Sequence, residues 1–500
     1  MKSLQEMVSL VTNKSIRKID AFDTATLKKE STLYTELFKG INSGDLSDDE
    51  EASQFLYQSG ADSKKYLMLK GRIKERLVNS IFFLTDKKNY NSDFLFGVYL
   101  SNRNYFAAKT LAINGANNAA LEYAKSALNL ASKFQQSDLK FNCCRLIKSI
   151  VYLSNPKEYQ KFESLSKKYL SDLNDEAEIE SIFFQLSIAF NKSQNNYSAK
   201  TINTAKRSYN QSLEIAKRNS SYFIHLNSIR IGLLYYQVIR DYQQLVNTAS
   251  KMEKLMIDNP LLVPRAGFAQ TALYKMSGYM YLQDFENGKI TGEKGLVLLK
   301  EGTGNWFIFL ENYFLLAMHT KNYKEAEALL NMAIGSDRFN SLAITMQEKW
   351  KLFEAYLLFI YSGTNVQHEF RIMKFVNEVE TLAKDKGGMN PAILIAQLLH
   401  IMKKGNWDDA MNRSESLRVY ASRNLKPSVA YRTILFIKLL ASFVKYRFDK
   451  SQLIKRTETN LNKLKSSKIS GQENMDALEI IPYEILWESV MQFVAGKRSF

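Results

Sequence analysis

Apolar residues recur at helical spacing along most of the chain. Ala120, Ala124, Ala127, Leu128 and Ala131, for example, stand at i, i+4, i+7, i+8 and i+11, which places all five on one face of a helix. Alternating apolar and polar residues are scarce, and no Asn-Gly or Asp-Gly turn lies between two alternating runs. The pattern therefore predicts an all-α fold.

The first hundred residues contain three segments with this spacing. They cover residues 32–42, 48–58 and 63–84. Ser47 and Glu50 have the spacing of a capping box ahead of the second segment. Further along, Asn155 precedes Pro156, which is typical of an N-cap followed by the first residue of a helix.

The composition agrees with long helices joined by short connections. The 500 residues include only six prolines and 21 glycines, whereas a large β-sandwich or barrel needs many turns. With 45% hydrophobic and 24% charged residues, the chain has the make-up of a globular protein and not of a disordered one. Its length corresponds to about three folding units, at roughly 150 residues each, or to one array of repeats.

A short aromatic signature recurs in the middle of the chain. Asp or Asn precedes an aromatic residue, and a small or apolar residue follows three positions after it. The four copies are Asp241-Tyr242 with Leu245, Asp284-Phe285 with Gly288, Asn322-Tyr323 with Ala326, and Asn406-Trp407 with Ala410. The aromatic residues are 43, 38 and 84 positions apart, so an internal repeat is indicated.

This signature resembles the tetratricopeptide repeat, in which the second helix of an antiparallel pair packs tightly on the first through small residues. Asn322 to Ala326, with Ala333 seven positions further on, matches best, and the resemblance covers residues 100–420 or so. The separations exceed the family's usual repeat of about 34 residues, so longer helices or loops are expected. The resemblance implies an α-solenoid that holds peptides or proteins on its concave surface. An irregular helical bundle is the alternative.

On this interpretation the chain has three parts. They are an N-terminal helical cap domain (1–95), the tetratricopeptide-like α-solenoid (96–420) and a basic C-terminal helical cap (421–500). In such repeats, the first helix of each pair lines the concave face. Helical phase gives five candidate partner-binding residues there: Asn227, Arg230, Tyr274, Asn312 and Gln397.

The chain carries 68 Lys and Arg against 51 Asp and Glu, a net charge of +17. Such a balance favours acidic partners, namely nucleic acid, an anionic membrane surface or an acidic protein. Two segments concentrate this charge and supply the candidate anion-binding residues. In the third N-terminal segment they are Lys64, Lys65, Arg72 and Arg76. In the C-terminal part they are Lys445, Arg447, Lys455, Arg456, Lys463, Lys465 and Lys468.

Each basic segment has two interpretations. The N-terminal one follows two shorter helical segments, as in a helix-turn-helix that reads DNA, or it is a cap whose basic face is solvated. Residues 421–470 contain twelve basic and two acidic residues with interleaved aromatics such as Phe443 and Tyr446. Those aromatics would stack on single-stranded RNA, or they form the buried side of a capping helix. An acidic protein would meet the same positive field.

Catalytic and metal-binding motifs are not evident. The four histidines are separated by 94, 49 and 32 residues, and neither a metal-ligand spacing nor a P-loop occurs. The two cysteines, Cys143 and Cys144, are adjacent within an apolar helix, which suits buried thiols in a reducing compartment. We therefore expect no cofactor, no metal and no enzymatic activity.

The sequence favours a non-catalytic scaffold or adaptor that binds another protein or peptide. The alternative is a nucleic-acid-associated protein that uses the basic N-terminal helix and C-terminal segment. No apolar stretch reaches the 18 or so residues that a membrane-spanning helix needs, and the first residues have no apolar leader. A cytoplasmic location without membrane insertion is therefore expected.

Overall fold

The structure is a computed structural model that describes residues 1–13, 33–81, 87, 90, 92–192, 197–263, 266–361, 389–425, 430–445, 450–467 and 479–495. Within these ranges all regular structure is helical and no strand is present. The predicted all-α fold is confirmed for this part of the chain. None of the helices described is both long enough and apolar enough to cross a membrane.

The chain forms two compact units, Met1–Leu173 and Asn174–Phe500. The first contains α1 (Lys2–Asn13), α2 (Leu33–Ser43), α3 (Asp49–Tyr57), α4 (Lys64–Ile81), α5 (Asp93–Ile113), α6 (Asn117–Lys133) and α7 (Ser137–Val151). The unit boundary falls within α8 (Pro156–Lys192), a helix of 37 residues. The division into three parts drawn from the sequence stays a prediction.

The second unit contains thirteen further α-helices within the described residues. They are α9 (Ala199–Arg218), α10 (Tyr222–Ile239), α11 (Tyr242–Asp258), α12 (Ala266–Leu282), α13 (Phe285–Leu298), α14 (Gly304–His319), α15 (Tyr323–Ile334), α16 (Ile344–Ile360), α17 (Asn390–Lys404), α18 (Trp407–Asn424), α19 (Tyr431–Lys445), α20 (Lys450–Ser466) and α21 (Tyr483–Ala495). Each of them packs against its neighbours in the chain.

Two apolar clusters stabilise the first unit within the residues that the structure describes. One joins α1 to α4 and includes the stripe of α4 formed by Leu69, Ile73 and Leu77, as its spacing predicts. The other joins α5 to α8, and there the helix face predicted from Ala120, Ala124, Ala127, Leu128 and Ala131 is buried. Small residues on that face allow neighbouring helices to approach closely.

The N-cap of α3 differs by one position from the capping box expected at Ser47 and Glu50. Asp48 is the N-cap, and its carboxylate accepts a hydrogen bond from the amide of Glu51 (2.9 Å). The carboxylate of Glu51 in turn accepts from both the amide and the hydroxyl of Ser47 (2.8 Å each). Asp and Ser satisfy a free helix amide equally well at an N-cap. The N-cap is therefore Asp48 in place of the predicted Ser47, and the helix starts one residue later than predicted.

Asp49, in the first turn of α3, ties that helix to α4. Its carboxylate accepts hydrogen bonds from the ammonium of Lys70 and the hydroxyl of Tyr66, both at 2.6 Å. Partial burial alone would raise the pKa of Asp49. Several hydrogen bonds, including those two, outweigh burial and hold the pKa well below the usual value near 3.8.

Acid should therefore destabilise the first unit through Asp49. A carboxyl with a depressed pKa stabilises the fold above its unfolded pKa, near 4, and loses that contribution as the pH falls. We expect Asp49→Asn to lower the free energy of unfolding by about 1 kcal/mol at pH 7, a modest loss because the carboxylate is partly solvated, and by less at pH 2, which lies below the unfolded pKa. Urea titrations of the wild type and the variant at both pH values measure the difference in the free energy of unfolding. The exposed Asp62→Asn is the control, and an equal loss at both pH values would contradict the prediction.

The four aromatic residues of the repeated signature occupy the same kind of turn in the second unit. Tyr242, Phe285, Tyr323 and Trp407 are the first residues of α11, α13, α15 and α18. Two positions before each, the chain adopts a left-handed conformation, at Arg240, Gln283, Lys321 and Gly405 (φ 56–76°). The Asp or Asn that precedes each aromatic residue donates its backbone amide to the carbonyl five positions earlier in the chain (2.8–3.3 Å). The accepting residues are Tyr236, Tyr279, Ala317 and Ile401. These bonds satisfy carbonyls left free at the end of the preceding helix.

Glycines bring α13 into close contact with α14. A Cβ atom placed on Gly292 would lie 2.4 Å from the ring of Tyr313, and Gly288 and Gly295 are equally close to Leu316 and Phe309. These distances are shorter than two carbon atoms tolerate. Gly288, which occupies the small position of the signature three residues after Phe285, is therefore required by packing.

Candidate functional site

Arg230 and Tyr274, two of the five predicted partner-binding residues, lie close together in the second unit. Arg230 projects from α10, and its guanidinium carbon is 5.7 Å from the ring centre of Phe183 on α8. The phenols of Tyr222 and Tyr274 are near enough to act electrostatically on the guanidinium. The arrangement is a half-buried cation bordered by three aromatic side chains.

The guanidinium of Arg230 has no ion-pair partner among the described residues. No carboxylate there forms an ion pair with it, and its Nε atom is enclosed without a hydrogen-bond acceptor. Burial lowers the pKa of Arg230, and the two phenols only partly oppose this. Because an enclosed donor without a partner costs free energy, the fold leaves part of the hydrogen-bonding capacity of this guanidinium unused.

The other three predicted partner-binding residues are not part of this cluster. Asn227 and Gln397 lie in the interior, with 8% and 1% of their surfaces exposed. Asn312 is half-buried and donates to the carbonyl of Ile308, four residues earlier in its own helix (2.9 Å). Arg230 and Tyr274 are therefore the two positions that could meet a partner as a pair.

The N-terminal basic residues line a groove of the first unit. Lys65, Arg72 and Arg76 of α4 border a concavity of about 480 Å³, together with Tyr34 of α2 and Tyr57 of α3. Arg76 lies over the ring of Tyr34, 4.6 Å from its centre, and this cation–π contact fixes its position. Lys64 is exposed but lies outside the groove. Sequence periodicity indicated the basic stripe, whereas the two tyrosines had no signal.

The C-terminal candidates within α20 form an exposed charged face. Lys455, Arg456, Lys463 and Lys465 are solvent-exposed, while Leu453, Thr457 and Leu464 form the buried side. No ion pair involves these four cations in the part of the chain that the structure describes. Lys445 ends α19, and Arg447 and Lys468 lie outside the described residues.

Arg432 belongs to the same basic run in sequence but is internal, with 1% of its surface exposed. Its guanidinium donates to the carboxylates of Glu479 (2.8 and 2.9 Å) and Glu484 (2.7 and 2.9 Å). It also donates to the carbonyls of Leu464 (2.8 Å) and Ser467 (2.6 Å) at the end of α20. Burial alone would lower the pKa of Arg432, but the two carboxylates raise it above its ordinary value. This residue holds helices together and adds nothing to a surface charge.

The cysteines and two of the three described histidines, His319 and His400, have structural surroundings. Cys143 and Cys144 are buried, and burial raises their pKa values to about 12 and about 11, so both thiols are protonated at neutral pH. His319 and His400 pair through Nε2 with the carbonyls of Glu479 (2.7 Å) and Ala355 (2.9 Å). His368 lies outside the described residues. Across the ranges described, no three His, Cys, Asp or Glu residues are grouped to hold a metal ion.

Comparison with known proteins adds no assignment. No protein-family model matches this chain, and no curated protein sequence matches it either.

Proposed function

We propose that this chain is a non-catalytic scaffold that holds a protein or peptide partner on an α-solenoid of tetratricopeptide-like helix pairs. The recurring turn at the four signature aromatics supports the solenoid, since each turn joins helices that pack on each other. The contacts between α13 and α14 also support it. Gly288 faces Leu316 and Gly295 faces Phe309, so residue numbers rise on one helix as they fall on the other. That order is typical of an antiparallel pair.

Aromatic contacts between consecutive repeats give further support. Tyr242 stacks on Tyr281 with ring centres 4.1 Å apart, and Tyr323 lies 6.1 Å from Tyr361. In both pairs a turn aromatic meets the end of a helix that lies 38 or 39 residues further on. A contact of this kind at two of the four signature turns links one repeat to the next there, as expected in a solenoid.

The observation that carries the binding role is the guanidinium of Arg230. A cation in an aromatic setting, with no carboxylate beside it in the described residues, has hydrogen-bond donors to offer a ligand. A carboxylate of a partner protein would accept from it, and the rings of Tyr274 and Phe183 would contact the apolar part of the same segment. We infer that the partner presents an acidic residue at this place.

The test begins with purification of the tagged full chain from its own cells, with and without nuclease, and identification of the protein that stays bound. Arg230→Met should then weaken the affinity for that protein by about tenfold or more, because charge-assisted hydrogen bonds are lost. It should not lower the melting temperature, since the guanidinium satisfies no carboxylate in the fold. Arg207→Met, the same change at an exposed position of α9, should alter the affinity less than about twofold.

Two results would contradict the proposal. If Arg230→Met binds the partner with unchanged affinity, Arg230 is not a binding residue. If the melting temperature also falls, the role of Arg230 is purely structural. Loss of every protein partner upon nuclease treatment would favour the nucleic-acid alternative instead.

The exposed cations of α20 support the alternative of a nucleic-acid-associated protein. If they bind RNA, affinity should fall with salt at a log–log slope of about −3 to −5, for about four to six phosphate contacts. Changing Lys463, Lys465 and Lys468 to Glu should weaken binding to all RNA sequences alike, because lysines on phosphates carry no base information. Filter-binding titrations measure both effects.

A further inference from the structure

Three cations of the N-terminal groove form one straight row on α4. Lys65, Arg72 and Arg76 stand at i, i+7 and i+11, which is one face of a helix and a span of about 16 Å. The row runs beside the buried stripe of the same helix, so the fold of the first unit fixes its position. The cations therefore face the groove together.

The three cations of this row form no ion pair within the described part of the chain. No carboxylate there pairs with Lys65, Arg72 or Arg76, although Lys70 on another face of α4 is paired with Asp49 at 2.6 Å. The Nη1 atom of Arg76 is enclosed without a hydrogen-bond acceptor among these residues. A ligand with several negative charges would meet cations that have no ion-pair partner among the described residues.

The side chains between the cations are apolar and accessible. Met68 and Leu33 line the groove with 57% and 39% of their surfaces exposed, and Leu69 forms its floor. Methionine adapts to ligands of different shape and is common on surfaces that bind amphipathic peptides. The volume of about 480 Å³ is of the size that accommodates ligand side chains.

We propose that this groove binds an acidic peptide segment with apolar side chains, which insert beside Met68 while its carboxylates meet the cationic row. Single-stranded RNA fits the groove less well, because base recognition needs free aromatic faces. The ring of Tyr34 is covered by Arg76, Tyr57 is half-buried, and the well-exposed apolar side chains are Met68 and Leu33, which cannot stack on bases. This site lies in the first compact unit and does not depend on the Arg230 site.

The probe is a fluorescein-labelled peptide of three Glu-Glu-Leu-Leu repeats, titrated with the full chain and followed by fluorescence anisotropy. Two comparison peptides replace either every Glu by Gln or every Leu by Ser, and an oligouridylate of equal length tests RNA. We expect each comparison peptide to bind about tenfold more weakly than the probe, because both the charges and the apolar contacts are needed.

Lys65 and Lys64 provide a matched pair of variants. They are adjacent, exposed and of the same type, but only Lys65 lines the groove. Lys65→Glu should weaken probe binding about fivefold or more and Lys64→Glu less than about twofold, while Met68→Ser should weaken it about threefold or more. The three positions are exposed, so the melting curve should not change.

Three outcomes would overturn the proposal. The first is an equal effect of Lys64→Glu and Lys65→Glu, which would mean diffuse charge attraction. The second is equal binding of the Gln peptide and the probe. The third is tighter binding of oligouridylate than of the probe. Arg230→Met should leave probe binding unchanged. A failure of this site is therefore separable from a failure of the scaffold function.

Discussion

Replacing Arg432 by methionine should lower the free energy of unfolding by about 3–5 kcal/mol, because removal of one partner leaves buried charges uncompensated. Glu479 and Glu484, with side chains 6% and 21% exposed, would lose the cation that both of them bind. The carbonyls of Leu464 and Ser467 would lose their donor as well. Urea titration followed by tryptophan fluorescence measures the loss.

A control and a rescue make this prediction specific. Arg423→Met removes the same charge from an exposed position of α18 and should cost less than about 0.5 kcal/mol. Adding Glu479→Gln and Glu484→Gln to Arg432→Met should recover part of the loss, since neutral amides are cheaper to bury than unpaired carboxylates. A loss below about 1 kcal/mol, or no recovery in the triple variant, would show that the carboxylates find other partners.

The buried position of Arg432 and its ion pairs could not be predicted from the sequence. Arg432 was one of twelve basic residues in residues 421–470, and its type and spacing gave no reason to separate it from its neighbours. The distinction depends on Glu479, 47 positions away in sequence, which reaches the same guanidinium only through tertiary packing. A single charged residue in an apolar run, such as Glu479 before Ile480 and Ile481, is the signal that could have suggested a buried pair.

Local features of the fold were predictable because they depend on residues close in sequence. The Asp or Asn before each signature aromatic indicated where α11, α13, α15 and α18 begin, and the Ala-rich face of α6 indicated its buried side. The same left-handed turn occurs at Gln135, however, without an aromatic residue after it. Backbone hydrogen bonds define that turn, so many sequences can form it.

The candidate site was predictable only in part. Helical phase predicts the face of the helix on which Arg230 and Tyr274 lie, but it does not predict how deeply they are buried. The same phase applies to Asn227 and Gln397, which are buried. Whether a polar residue on the inner face is exposed depends on the side chains of the next helix, and those are not set by local periodicity.

Replacing Ala326 by leucine should destabilise the fold by about 1–3 kcal/mol, because the added side chain has no space between packed helices. Ala326 is completely buried in α15, where it corresponds to the small position of the repeated signature. α15 packs on α14, and Glu325 next to Ala326 accepts a hydrogen bond from the hydroxyl of Tyr313 (2.9 Å). A larger side chain would push the two helices apart and weaken that bond as well.

The same helix supplies the control for this change. Ala328, two positions further on, is exposed, so Ala328→Leu introduces the same side chain where there is space for it and should change the free energy of unfolding by less than about 0.5 kcal/mol. Thermal melting followed by circular dichroism compares the two variants. Equal melting temperatures would mean that α14 and α15 can move apart at no cost, and the small residue of the signature would then have no packing role. A selective loss in Ala326→Leu would connect the repeated sequence pattern to the close helix contact that a solenoid needs.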